Sequence, residues 1–285
     1  MAKLQFSGHE TFACRHYWLK RGYDFVANEG SFRDPDAVVD LGVGKNMVTA
    51  IHYWLKAFDM IDESGDLTDL ANRIFKDNGW DPFLEDDGTL WLLHYQLNKK
   101  KFASIYNIVF NELRKQRPEF TRKHLYSLVD KKQGKFTTGT LKNDFSVFSR
   151  TYLNDSSTEV EDGYSGLLAD LNLLMELKES KEKGNSCYTI EYRERPEIPS
   201  HIIFYAILDN KQYGNSISFE NLFSDPEGIA STFALNRDGL AEQLSSIAKF
   251  FKKNVVFNND PLVREFQFKG KKPDALSILR DYYGR

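Results

Sequence analysis

The sequence predicts a mainly α-helical protein with short β-hairpins, built as an array of winged-helix or helix-turn-helix-like domains. Three observations predict it. Residues 37–61, AVVDLGVGKNMVTAIHYWLKAFDMI, spell two apolar-striped helices around a glycine turn. Val255-Val256-Phe257 and the run from Val263 to Phe268 flank Asn258-Asn259-Asp260-Pro261, the pattern of a hairpin that follows helices. Between them, helical stretches alternate with breaks marked by Gly and Pro.

The first domain is expected over 1–97, with helices at 15–27, 35–41 and 45–61. Ala37, Val38 and Leu41 supply the apolar stripe of the middle helix, and Gly42-Val43-Gly44 makes the break. In the next helix Val48, Ile51, Leu55 and Phe58 share one face. Lys45, Thr49, His52 and Lys56 lie opposite, flanked by Asn46 and Tyr53. Glu63-Ser64-Gly65-Asp66 is a turn, Leu67-Thr68 caps a helix over 69–76, and an apolar helix is expected over 89–97.

A basic helical domain over 98–153 follows, with helices at 103–115, 119–132 and 140–153. Ile105, Ile108, Val109 and Leu113 face inward in the first, and Leu141, Phe145 and Phe148 in the last. Thr140, Lys142, Asn143 and Ser146 are its outer surface, and Gly134 marks a turn. Residues 154–166, rich in Ser, Asp and Gly, are expected to be a linker. A C-terminal winged-helix-like domain is expected over 167–285: a helix at 167–182, a strand at 187–192, and helices at 199–210 and 239–251. The hairpin follows, and Ser218, Asp225 and Asn236 are candidate caps. The segment His16-Tyr17-Trp18-Leu19-Lys20 recurs as His52-Tyr53-Trp54-Leu55-Lys56, and both copies suit amphipathic helix segments that bury Trp and Leu while His and Lys stay wet.

The whole chain of 285 residues carries a net charge of −3, which hides a strong asymmetry. Residues 94–153 hold thirteen Lys and Arg against four Asp and Glu, a local +9. Residues 62–93 hold two against nine, a local −7. DNA is therefore the expected partner. The candidate contacts are Lys45, Asn46, Thr49, His52 and Lys56 on one helix, with Arg122, Lys123, Lys131, Lys132, Lys135 and Lys142 in the basic domain. No run of about 18 apolar residues is present, so no membrane span is expected. The first residues lack a signal-peptide core, and Cys14 and Cys187 have no CxxC partner, which fits a reduced cytoplasm rather than a zinc or disulfide framework.

Two clusters carry possible chemistry. Ser7-Gly8-His9-Glu10-Thr11-Phe12 with Arg15 places a base, a carboxylate and a cation near each other. His9, Glu10 and Arg15 are thus candidate catalytic residues for phosphodiester hydrolysis. A helix cap with a structural histidine is the commoner meaning of the same pattern. Asp81, Glu85, Asp86, Asp87 and His94 are candidate ligands for Mg2+ or Mn2+, although helix-terminal charge explains them as well. No GxxxxGK[ST], HExxH or GxSxG occurs, which argues against a nucleotide motor, a zincin or an α/β-hydrolase.

The runs FSGHETF with Arg15, WLKRGYDF, LGVGKNMV, YWLKAF, LTDLANRIF and DPFLEDDGTLWLLHY, between Phe6 and Tyr95, resemble the SspB-type proteins. These form a bacterial domain-of-unknown-function family of single-strand DNA phosphorothioate modification systems. The resemblance implies a place in anti-phage defence beside a cysteine desulfurase, an ATPase and a sulfur transferase, and an activity of binding and nicking DNA. It transfers no residue-level catalytic pattern. The alternative from the residues is a non-enzymatic winged-helix regulator or assembly scaffold. Oligomeric state stays open, a homodimer included.

Overall fold

The computed structural model describes residues 4–133, 136–153, 166–177, 186–260 and 262–284. The described chain is mainly helical with two small antiparallel sheets, and it divides into two compact units, Met1–Ile190 and Glu191–Arg285.

In the first unit, α1 (Trp18–Ala27) lies close against α3 (Lys45–Ala57) at Gly22, where a Cβ would come within 2.8 Å of Ile51 and Leu55. The short α2 (Ala37–Asp40) contributes Ala37 to an apolar cluster with Leu41, Phe25 and Val48. Val38, expected on the buried stripe, is exposed, because a single turn of helix has room to bury only a narrow face. The α3 helix buries Val48, Ile51 and Leu55, with Phe58 beyond its end. It stops at Ala57 rather than near 61, since Asp59 adopts φ 61°, a left-handed conformation that cannot continue the helix. Thr68 caps α4 (Asp69–Phe75) by accepting from the Ala71 amide.

The helix expected at 89–97 is longer: Asp86 caps it, and α5 (Asp87–Lys100) is buried on every side from Gly88 to Asn98. Next come α6 (Ser104–Ile108), a π turn (Val109–Leu113) and α7 (Arg114–Gln116), with Ile105, Ile108, Val109 and Leu113 all buried. The expected 119–132 helix opens instead with a strand, β1 (Glu119–Phe120), before α8 (Arg122–Gln133). Thr137 caps α9 (Thr138–Tyr152), which buries Leu141, Phe145 and Phe148.

Residues 167–182 depart furthest from expectation. Where a helix was predicted, the described part is a 3-10 turn (Ala169–Leu171), a left-handed Asn172 and a strand, β2 (Met175–Leu177). A short apolar run carries no periodicity that separates strand from helix, and pairing decides. Here β2 and β1 both pair antiparallel with β3 (Cys187–Thr189), in the order β1-β3-β2, so that Tyr188 faces Phe120 on one side and Glu176 on the other. The strand expected over 187–192 is correspondingly short. The stretch predicted to open the C-terminal domain completes the sheet of the first unit. The predicted turn at Gly134, all of the predicted linker except Gly166, and residues 178–182 lie outside the described residues.

The second unit runs α10 (Ser200–Asp209), β4 (Ser216–Ser218), α11 (Phe219–Ser224), α12 (Ile229–Thr232), α13 (Arg237–Phe250), β5 (Val255–Asp260), β6 (Val263–Phe268) and α14 (Ala275–Tyr283). Ser218 and Asn236 cap α11 and α13 as expected, accepting from the Asn221 and Gly239 amides; Asp225 instead follows the end of α11. The hairpin pairs Val255 with Phe268 through to Asp260 with Val263, and Pro261 at its tip lies outside the described residues. Leu240, Leu244 and Ile247 of α13 are buried, as are Phe204 of α10 and Phe266 of β6, and α14, unforeseen in the sequence, packs on α10. The sheet order is β4-β6-β5. Each unit therefore sets the first strand of its sheet beside the last, with helices intervening in sequence.

Candidate nucleic-acid interface

The outer face of α3 carries the first set of expected contacts. Gly42, at φ 57°, turns the chain, and Gly44 precedes the helix without a side-chain cap. Lys45, Asn46 and Thr49 are exposed, and His52 and Lys56 are half-exposed, so all five expected contacts sit on one accessible face. The Thr49 hydroxyl donates to the Lys45 carbonyl at 3.3 Å. His52 stacks flat on Phe32, centroids 4.6 Å apart and planes 13° from parallel. Burial, then the nearby Lys56 and Arg33, lower its pKa to about 4. At neutral pH His52 is thus an uncharged ring between two cations. Phe32 and Arg33 escaped the sequence reading because they precede the turn and belong to no helical period; the Phe-Arg pair ahead of Asp34-Pro35-Asp36 was the available signal.

The basic stretch is less uniform than its charge implied. Arg114 is 1% exposed; its Nε donates to the Phe110 carbonyl at 2.9 Å. Lys100 pairs with Asp59 at 2.7 Å, and Lys132 pairs with Glu112 at 2.7 Å. Lys123 and Lys131 on α8 and Lys142 on α9 are exposed, Arg122 is half-exposed, and Lys135 lies outside the described residues. Phe136, beside that loop, is half-buried with its ring edge-on to Phe6 at 4.7 Å.

The N-terminal segment is a buried clamp. Ser7, Gly8, Glu10 and Thr11 all have positive φ, 70°, 101°, 48° and 66°. Gly8 is required twice over, by that φ and because a Cβ would meet the Tyr53 ring at 2.8 Å. The contortion turns His9 inward to 4% exposure. The ring lies edge-on to Tyr53 and parallel to Trp54, 5.5 and 6.3 Å between centroids. Its Nδ1 accepts from the Thr11 amide at 3.2 Å, which assigns the proton to Nε2, the atom that donates to Asp144 Oδ1 at 3.0 Å. The Ser7 amide donates to both oxygens of the same carboxylate, at 2.9 and 3.0 Å. Arg150 reaches the Thr11 carbonyl at 2.6 Å, and the Trp54 indole donates to the Phe12 carbonyl at 3.1 Å. Of the three candidate catalytic residues, His9 thus commits both ring nitrogens to neighbours. Glu10 is exposed, and the Arg15 guanidinium lies over the Trp18 ring at 5.4 Å. Asp144 was missed, yet a carboxylate on the Leu141-Phe145-Phe148 stripe demands a buried partner.

In the acidic cluster Asp81 and Asp86 accept from backbone amides, and Asp86 caps α5. Asp81, 7% exposed, accepts from the Glu85 and Asp86 amides at 2.9 and 3.1 Å. Asp86 accepts from the Gly88 amide at 2.7 Å. His94 is fully buried, with its Nδ1 2.8 Å from the Tyr152 hydroxyl. Among the described residues no group of three or more His, Cys, Asp or Glu is placed to hold a metal ion. Nor does any described helix have the length and apolarity to cross a membrane.

A family model described as a protein of unknown function, DUF4007, matches residues 6–283. Two solved structures are similar to the chain over 98% of its length and 88% of theirs, each at 26% identity. One is an SspB crystal structure, with a TM-score of 0.84, and the other is a magnesium ion-bound SspB crystal structure, with a TM-score of 0.85. No curated protein matches.

Proposed function

The chain belongs to the DUF4007 family, and from that premise we propose that it is a DNA-binding component of a bacterial DNA phosphorothioate modification system with an anti-phage role. The observation that carries this reading is the outer face of α3, where Lys45, Asn46, Thr49, His52 and Lys56 are all accessible beside Arg33. Amide, hydroxyl and neutral imidazole groups address base edges, while the three cations address phosphates. Exposed lysines on α8 and α9 add affinity that is blind to sequence.

The architecture supports the same reading. Helix, strand, helices and hairpin, with the first strand beside the last, is the order of a winged helix. It occurs once from α6 to β3 and once from α10 to β6. Helices α2 and α3 followed by the Ile61–Leu67 bridge give a third, reduced version. In that reduced version the second helix is α3, and the second helix of a helix-turn-helix is the one that enters the major groove. The likeness to SspB structures supports the assignment to phosphorothioation, with sulfur-transfer and ATPase proteins as partners.

Nicking is the finer claim, with His9, Glu10 and Arg15 beside the scissile phosphate. The two bonds that occupy the His9 ring favour the second reading, a binding and assembly component in which His9 shapes the clamp. Labelled duplex titrated over a salt series tests binding. Lys45→Glu with Lys56→Glu is expected to weaken it and to lower the log–log salt slope by about 2, near 0.9 per lost phosphate contact. Unchanged affinity sinks the α3 assignment. Supercoiled plasmid with Mg2+ or Mn2+ tests nicking: open circles that vanish in Glu10→Ala, a residue on the surface, support it. Intact plasmid under both metals leaves the binding component.

A further inference from the structure

The second unit carries a basic and aromatic surface that the duplex reading does not use. The register of the hairpin brings its two ends together: Val255 pairs with Phe268, and the Lys269 amide donates to the Asn254 carbonyl at 2.7 Å. Lysines on either side of that junction are thereby gathered. Lys249, Lys252, Lys253, Lys269 and Lys271 are all exposed. Neither 249–257 nor 266–273 contains an Asp or Glu. Among the described residues none of these five lysines forms an ion pair; Lys269 reaches only the Lys252 carbonyl, at 3.0 Å. Asp281 acts on His201, at the edge of the cluster.

Phe250 stands amid these lysines, between Lys249 and the Phe251-Lys252-Lys253 run, and is 64% exposed. At that exposure most of the ring's surface is open to solvent and available to a partner. It leads into an aromatic group: the His201 ring is 5.6 Å from Phe250, 5.1 Å from Phe251 and 5.7 Å from Tyr282. Burial keeps His201 below its ordinary pKa, so it is a flat, neutral ring at pH 7.

We propose that this surface binds single-stranded nucleic acid, with Phe250 stacking on an unpaired base and the five lysines following the phosphates. Charge complementarity requires a polyanion. The exposed ring selects among polyanions, because a duplex hides the faces of its bases, whereas a single strand offers a flat face at every nucleotide. The proposal does not depend on the role given to α3.

The test uses the full chain and a fluorescein-labelled thymidine oligomer of about 16 nucleotides, followed by anisotropy over a salt series. Phe250→Ala is expected to weaken binding about five-fold or more, the least that one stacked base contributes. Lys252→Glu with Lys253→Glu should lower the salt slope by about 1.4. Phe250→Tyr keeps the ring and should keep the affinity, which separates loss of stacking from loss of fold. Lys45→Glu with Lys56→Glu should leave the Phe250-dependent part of oligomer binding in place, so this surface and α3 fail independently. No binding at low salt, or Phe250→Ala binding as tightly as the wild type, overturns the proposal. So does equal Phe250-dependent binding to duplex, to polyglutamate or to phosphatidylserine vesicles.

Discussion

Asp144 is the residue on which the N-terminal clamp turns. It is 2% exposed and accepts from the Ser7 amide and from His9 Nε2. Asp144→Ala leaves two donors without an acceptor in a dry setting, at a cost of about 3 kcal/mol. Urea melts should show that loss, while Asp144→Asn, which keeps one acceptor oxygen, loses less; equal stability of Ala and wild type would show that the clamp contributes nothing. His52 gives a pH-dependent counterpart. Its pKa in the folded chain is about 4, below the ordinary 6.5, so between those values only the unfolded chain takes up the proton. Stability from this group is complete above pH 6.5 and is lost as pH falls toward 4. His52→Gln should flatten that part of the stability profile, and an imidazole that titrates near 6.5 by NMR would refute the assignment. The sequence displayed both histidines. It did not display their surroundings, because a ring bonded to a helix 135 positions away leaves no local pattern.

At the scale of elements, α3 and α13 were legible because each is a helix of more than three turns with one apolar face. The caps Thr68, Ser218 and Asn236 were legible for the same local reason: a side-chain oxygen meets an amide two or three residues ahead. Strands β1 and β2 were not, since two or three residues are too few to alternate and their partners are remote, whereas β3 was expected but over 187–192 rather than Cys187–Thr189. The consequence is testable. Because β3 is the central strand, a fragment of residues 1–190 is expected to unfold cooperatively. A fragment of residues 1–166 lacks β2 and β3, exposes Phe120 and Tyr188's partner surface, and should melt lower or not fold. Circular-dichroism melts of the two decide it; equal melting temperatures would show that the strands are dispensable.

For the whole molecule, the sequence by itself determined the helical class, the helix-turn-helix with its polar face, the terminal hairpin and the charge asymmetry hidden beneath a net −3. These rest on periodicity, capping and composition, which act over a few residues. The tertiary structure alone decided the rest. It placed the division between units at Ile190–Glu191, gave Asp81 and Asp86 backbone amides to hold, and took Arg114, Lys100 and Lys132 out of the free basic surface. It also turned His9 away from solvent and gathered the lysines and Phe250 at one end of the hairpin. Each of these depends on which distant residues become neighbours. That is fixed by strand pairing and by the need of every buried polar group for a partner, and neither is written within a local window.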